Sequence, residues 1–175
     1  MRSGVILGCV LVAAGGAASA APPEPKASPK SFLEDATPIV AAFKAKIPAP
    51  FLITELSIGR ENASLQAQDP KQKDTYDDYN YSKSRGVSEP EPVQVFTVTC
   101  KKGFNIDEAD FTAVPTMLKD ALARLNLEDG EASHINLSRG VFCKEPRWVV
   151  FVDGKRKDGM VEYDPKGKFR NSKIM

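Results

Sequence analysis

The residues able to do chemistry are few, and their spacing limits what they could do. His134 is the only histidine in 175 residues, and three cysteines stand at Cys9, Cys100 and Cys143. A zinc site needs several His, Cys, Asp or Glu ligands at short, regular spacing. No such set surrounds His134, so neither a metal nor a cofactor is expected. Asp74, Asp77 and Asp78 lie in KDTYDDYNY, a carboxylate cluster interleaved with Tyr76, Tyr79 and Tyr81. The spacing is wrong for a calcium loop, and there is no glycine for its turn. Paired carboxylates can hydrolyse a sugar bond if one is buried, which makes Asp77, Asp78 and His134 the residues of a small-hydrolase reading. Against it, the chain lacks a G-x-S-x-G elbow, an H-E-x-x-H helix, a phosphate loop and a dinucleotide fingerprint. The expectation is a protein without catalytic activity.

Recognition is the better use of these side chains. Tyrosines give large contact area at small entropic cost, so Tyr76, Tyr79 and Tyr81 form a candidate binding strip. The competing structural use is an amphipathic strand that buries alternate tyrosines. Lys155, Arg156 and Lys157 make a basic turn, echoed by Lys71 and Lys73, and are the second candidate contact; a solvated turn is the alternative. Overall, 24 Lys and Arg face 23 Asp and Glu. So even a balance gives no general attraction for nucleic acid or anionic lipid. The expected partner is a protein or peptide, not a nucleic acid.

The address comes from the first twenty residues. Arg2 precedes an apolar run that ends in Ala18-Ser19-Ala20, the form of a secretory signal with an A-x-A cleavage site over 1–20. The run is too short for a membrane span. Ile6-Leu7-Gly8-Cys9 offers a rival reading as a lipoprotein box with Cys9 acylated, although most of the apolar run follows Cys9. About 155 residues remain after cleavage, one ordinary domain or two small ones. Cys100 and Cys143 are then expected to form a disulfide, which fits a periplasmic or secreted bacterial protein. A catalytic pairing of a free thiol with His134 is the weaker alternative.

The elements that must position these residues repeat. DPKQKDTYDDY, Asp69 to Tyr79, overlays DGKRKDGMVEY, Asp153 to Tyr163, at a constant offset. Asp69 falls on Asp153, Lys71 on Lys155 and Tyr79 on Tyr163; upstream, Leu56-Ser57 falls on Leu137-Ser138. The chain therefore reads as two copies of one unit. Residues 21–30 are a Pro-rich tether, 31–83 the first unit, 84–92 a linker and 93–175 the second unit.

In the first unit, Thr37-Pro38 caps and opens a helix, and Pro48 and Pro50 end it. Strands follow at Phe51–Ile58, Ala63–Gln68 and Thr75–Ser82. In the second, Val93–Cys100 alternates most cleanly of all. A helix from about Asp110 or Thr112 to Leu125 should bury Leu118, Ala121, Leu122 and Leu125. Strands at Ala132–Ser138, Trp148–Asp153, Gly159–Tyr163 and Phe169–Ile174 then complete an antiparallel sheet. The fold class is α+β: two tandem α-β-β-β units with one helix packed per unit. Each unit alone has little apolar residue to bury, so the two should share a core or pack side by side.

The stretch Trp148-Val149-Val150-Phe151-Val152, followed by Val161-Glu162-Tyr163-Asp164-Pro165-Lys166-Gly167-Lys168, resembles the PepSY-type domain. That family has a helix and a three-stranded meander whose last hairpin ends in a Gly turn. The resemblance covers roughly Asp110 to Phe169. The first copy departs from it, with Ser64 where the Trp would sit and Tyr81 to Lys83 in place of the Gly turn. A tandem α/β arrangement is also similar to the β-lactamase inhibitory protein in architecture. The resemblance implies an export-associated binding or inhibitory module, with a small-ligand or cell-wall-fragment binder as the alternative.

Overall fold

The structure is a computed structural model, and it describes residues 31–49, 52–72, 75–93, 100, 102–140 and 142–175. Its elements follow the sequence closely. Helix α1 covers Thr37–Lys46, with Pro38 in its first turn and Ile39, Val40 and Phe43 buried. Its N-cap is Ala36, not the expected Thr37; the Asp35 carboxylate accepts from the Thr37 N–H at 3.0 Å instead. Strands β1 (Ile53–Gly59), β2 (Asn62–Gln68) and β3 (Tyr76–Ser82) come next.

The segment read as a linker carries two short strands, β4 (Gly86–Val87) and β5 (Glu91–Pro92). Both pair with β3, so residues 86–92 are stitched to its outer edge. The strand expected at Val93–Cys100 falls almost wholly outside the described residues. Helix α2 (Val114–Leu125) follows a 3₁₀ turn at Phe111–Ala113. It buries Val114, Met117, Ala121 and Leu125, whereas Leu118 and Leu122 of the expected stripe are only partly covered. Val114, Met117, Ala121 and Leu125 are themselves one stripe at i, i+3, i+7 and i+11, so the buried face is centred on the Met117 side of the expected one. Strands β6 (Glu131–Ser138), β7 (Arg147–Asp153), β8 (Gly159–Tyr163) and β9 (Phe169–Ile174) end the chain.

These strands form one sheet of order β4-β3-β2-β1-β6-β7-β8-β9, with β5 also on β3 and every pair antiparallel. The mixed α/β class stands, but the sheet is a single surface larger than either expected unit. Its seam is the β1–β6 pair, where Leu56 faces Leu137. One buried row runs across six strands: Tyr79, Leu65, Leu56, Leu137, Trp148, Tyr163. It is symmetric about the seam, with Tyr79 answering Tyr163 and Leu65 answering Trp148.

Trp148 is therefore matched by Leu65, not by Ser64 as the constant offset implied. Leu65 is buried and Ser64 is exposed. The offset slips because the chain from Leu65 to Tyr79 is one residue shorter than the chain from Trp148 to Tyr163. Period-2 alternation makes a slip of one residue swap faces completely.

Residues of both helices and six strands join one apolar cluster on the same side of the sheet. Trp148 is fully buried there, edge-on to Phe111 at 5.2 Å, with its Nε1–H donating to Pro165 O. Gly167 closes the Asp164–Lys168 turn at φ +85°, where a Cβ would stand 2.7 Å from that of Ala113. Only glycine fits that backbone and that space. The expected Cys100–Cys143 disulfide is present, with Cα atoms 5.0 Å apart.

Candidate functional site

Among the described residues, no helix residue of the core cluster lies on the other face of the sheet, and the side chains paired across that face are mainly polar. One row, a residue out of step with the buried row, reads Asn80, Ser64, Ser57, Asn136, Val149, Glu162, Asn171. With strands about 4.8 Å apart, seven strands give a width on the order of 29 Å. The centre is low because Ser64, Ser57 and Gly59 are small. Around it the longer polar groups are tied to one another. Thr54 Oγ1 donates to Gln66 Oε1 at 2.6 Å, Gln66 Nε2 donates to Asp78 Oδ1 at 3.2 Å, and Asn136 Nδ2 donates to Glu55. Arg147 pairs with Glu162 at 3.1 Å. Held side chains lose less rotamer freedom when something docks on them.

At the β1–β2 turn end of this face lies an open concavity of about 1040 Å³. The first half of the chain supplies Ser57, Arg60 and Asn62, and the second supplies His134, Asp153 and Lys155. Alternation from buried Ile135 puts His134 on this face, and a bulge in β6 between Ala132 and His134 lets its neighbour Ser133 line the same concavity. The imidazole stacks on Phe151, with centroids 4.3 Å apart and planes 11° apart. Ser133 Oγ lies 3.2 Å from His134 Nδ1 and 3.1 Å from Asp153 Oδ1.

In a hydrolytic triad the imidazole stands between hydroxyl and carboxylate, which orients it and stabilises its charge. Here the hydroxyl stands in the middle, so no carboxylate in this trio orients the imidazole. The arrangement can donate and accept hydrogen bonds; it is not a relay. Sequence reasoning missed the trio because strict alternation hides a bulge, and nothing local in A-S-H-I marks one.

The other predicted residues separate. Tyr76 and Tyr79 are buried, and Tyr79 belongs to the core cluster. Tyr81 is half-buried, packed against Phe32 at 5.3 Å and Phe43 at 6.2 Å. The expected strip is therefore not an exposed surface: the alternation of β3 turns Tyr79 and Tyr81 toward α1. Burial raises the Tyr79 hydroxyl above its usual value, helped by Asp77, Asp69 and Glu89.

Asp77 and Asp78 are adjacent on β3 and so point to opposite faces, which removes the paired-carboxylate arrangement. The Asp77 carboxyl is held above its ordinary range, first by burial and then by Asp69 and Asp78. Asp74 and Lys73 lie outside the described residues. In the basic turn, Lys155 pairs with Glu128 at 3.1 Å while Arg156 and Lys157 are exposed. Lys155 lines the concavity; Lys71 is exposed on the separate β2–β3 turn. Among the described residues, no three His, Cys, Asp or Glu side chains converge as metal ligands, and no helix is long and apolar enough to cross a membrane.

No family model matches the sequence, and no curated protein matches it. In fold, the chain is similar to the crystal structure of a "putative lipoprotein" from Clostridium difficile 630. The TM-score is 0.60 at 12% identity, covering 84% of this chain and 100% of that one. At that identity the likeness concerns the fold alone.

Proposed function

We propose that this is an exported, non-catalytic binding module of the bacterial envelope, holding a protein or peptide partner on the open face of its sheet. It acts by covering the partner's surface, as an inhibitor does, with no covalent step. The observation that carries the reading is the broad, pre-tied polar row with a low centre at Ser57 and Ser64. Such a face suits an extended partner better than a small molecule, which needs an enclosed pocket.

Export is supported by the signal-like residues 1–20, by the Cys100–Cys143 bridge and by the lipoprotein description of the structural neighbour. The PepSY resemblance of the second half, and its division into two such units, agree with a role as a binding module. The choice between periplasmic, secreted and Cys9-anchored forms belongs to the same proposal. In this reading the contacts expected of Tyr76, Tyr79 and Tyr81 fall instead to the open face and to Arg156 and Lys157.

A second reading takes the concavity beside His134 as a site for a small envelope ligand such as a cell-wall fragment, because both halves of the chain line it. One experiment separates the two. The protein is immobilised as wild type and as Ser64→Arg, then incubated with envelope extract without reductant, and the eluates are compared by mass spectrometry. One protein captured near stoichiometrically by the wild type and lost from the Ser64→Arg variant, at equal melting temperature, supports the open face. Equal capture by both variants removes the open face as the dock. An empty wild-type eluate, together with a saturable thermal shift on adding muropeptides, selects the concavity.

A further inference from the structure

The two edges of the sheet are finished differently. On one side β4 and β5 lie along the outer edge of β3. On the other, β9 is outermost, and no described strand pairs with its far edge. All six residues of β9 are exposed.

The register shows which backbone groups face outward. Met175 N–H donates to Asp158 O at 2.8 Å. Facing residues of an antiparallel pair alternate between hydrogen-bonded and non-bonded. Counting back along β8 and β9, Met160–Lys173 and Glu162–Asn171 are then bonded pairs. Val161–Ser172 and Gly159–Ile174 are not, so the N–H and C=O groups of Ser172 and Ile174 point away from β8. A row of unpaired backbone groups on an exposed strand is a template for another strand.

The side chains add an apolar component. Five large hydrophobic residues are exposed among the described ones: Leu52, Phe142, Phe169, Ile174 and Met175. The last three belong to β9 or follow it directly. Phe169 faces Tyr163 and Ile174 faces Gly159, whose neighbours across the strand lie in the core, so Phe169 and Ile174 share the helix-bearing side. The Arg124 guanidinium covers the Phe169 ring at 3.8 Å, steadying it from α2.

We propose that β9 is a pairing edge for a second copy of this chain, two β9 strands running antiparallel about a two-fold axis at Ser172. The strand is self-complementary at that centre. Ser172 faces the partner's Ser172, with outward groups meeting outward groups. Asn171 faces the partner's Lys173, and Arg170 faces the partner's Ile174, so no like charges lie directly opposite. The axis must sit on an outward-facing residue for the backbone groups to meet. Centring it on Ile174 would pair only the end of the strand, whereas Ser172 uses nearly all of it. Such an interface is isologous and closes at two copies, and it continues the sheet across the axis while bringing Phe169 and Ile174 of both chains to one side.

Proline tests this directly, because a proline whose missing N–H would have pointed outward is tolerated on an edge strand. The chain is purified as the cell processes it, and sedimentation velocity is run over a concentration series. Wild type should populate a dimer as concentration rises. Ser172→Pro should sediment as a monomer throughout, with a melting temperature close to wild type. Asn171→Pro, which removes an N–H bonded to β8, should lose melting temperature instead. Ile174→Lys gives a second route, placing a new charge on each side of the axis, and should also abolish the dimer with the fold retained. A wild type that stays monomeric, even if it takes up an extended peptide along β9, overturns the proposal. So does a dimer that survives both Ser172→Pro and Ile174→Lys. The open face plays no part in this test, so its outcome is independent of the partner-binding reading.

Discussion

Tyr163 and Tyr79 end the same buried row, yet their hydroxyls are handled differently. The Tyr163 hydroxyl lies 2.9 Å from Asp120 Oδ2 and 3.0 Å from Met117 O, sharing its one proton between them and tying β8 to α2. Arg124 reaches the same carboxylate oxygen from one turn along, Nε to Oδ2 at 2.6 Å. The Arg124 bond, with a smaller contribution from Tyr163, holds the Asp120 carboxyl below its ordinary 3.8 despite partial burial. A folded-state value below the unfolded one stabilises above the unfolded value, and that stability is lost as pH falls through the folded one. Asp120→Asn should therefore lower the melting temperature at neutral pH, and its gap to wild type should shrink steadily below about pH 4. Thermal unfolding from pH 7 to pH 2 measures this. A gap that stayed constant would show that the hydrogen bonds alone, not the charge, matter here. Asp120 lies about a third exposed, so solvent screening keeps the effect modest.

At the scale of elements, the register of β2 decides between two alignments of the halves. If Leu65 is the counterpart of Trp148, Leu65→Ala should cost about 2–5 kcal/mol through the cavity it leaves, while Ser64→Ala should stay within about 0.5 kcal/mol. Denaturant midpoints check both, and the opposite order would restore Ser64 to the core. Most strands were legible because period-2 alternation carries over seven residues at β1, β2 and β7, and the pairing of Cys100 with Cys143 followed from compartment and count. What stayed hidden has local causes. The one-residue difference between the two hairpins, Leu65 to Tyr79 and Trp148 to Tyr163, broke a constant offset. The β6 bulge brought Ser133 in beside His134, whose own direction follows from alternation with Ile135. The polar residues 83–92, rich in proline, looked like a linker although β3 needed partners for its outer backbone groups. The tyrosines were legible as an alternation but not as a direction, since a strand's sequence alone does not say which side the helix will cover. The polar row of the open face was readable residue by residue, but it becomes a surface only once the order of strands is known.

Across the whole molecule the seam between the halves is the point of greatest consequence. Leu56 and Leu137 are both fully buried and face each other there, flanked by the Ile58–Ile135 pair, equally buried. Splitting the chain in the linker region would strip these residues of cover and leave two central strands with open edges, while pieces of roughly 65 and 85 residues would each hold a marginal core. The protein should therefore melt in one transition whose calorimetric and van't Hoff enthalpies agree. Two transitions would mean that each half stands alone. The sharper test couples the halves directly. Leu56→Ala and Leu137→Ala should each cost about 2–5 kcal/mol, and the double variant should depart from their sum by at least about 0.5 kcal/mol because the two side chains share one contact. Additive losses would mean that the seam joins two independent cores, and the open face would then be two surfaces able to move apart. Coupled losses would hold it as one rigid platform, which is the property a broad docking face needs if its preset side chains are to meet a partner together.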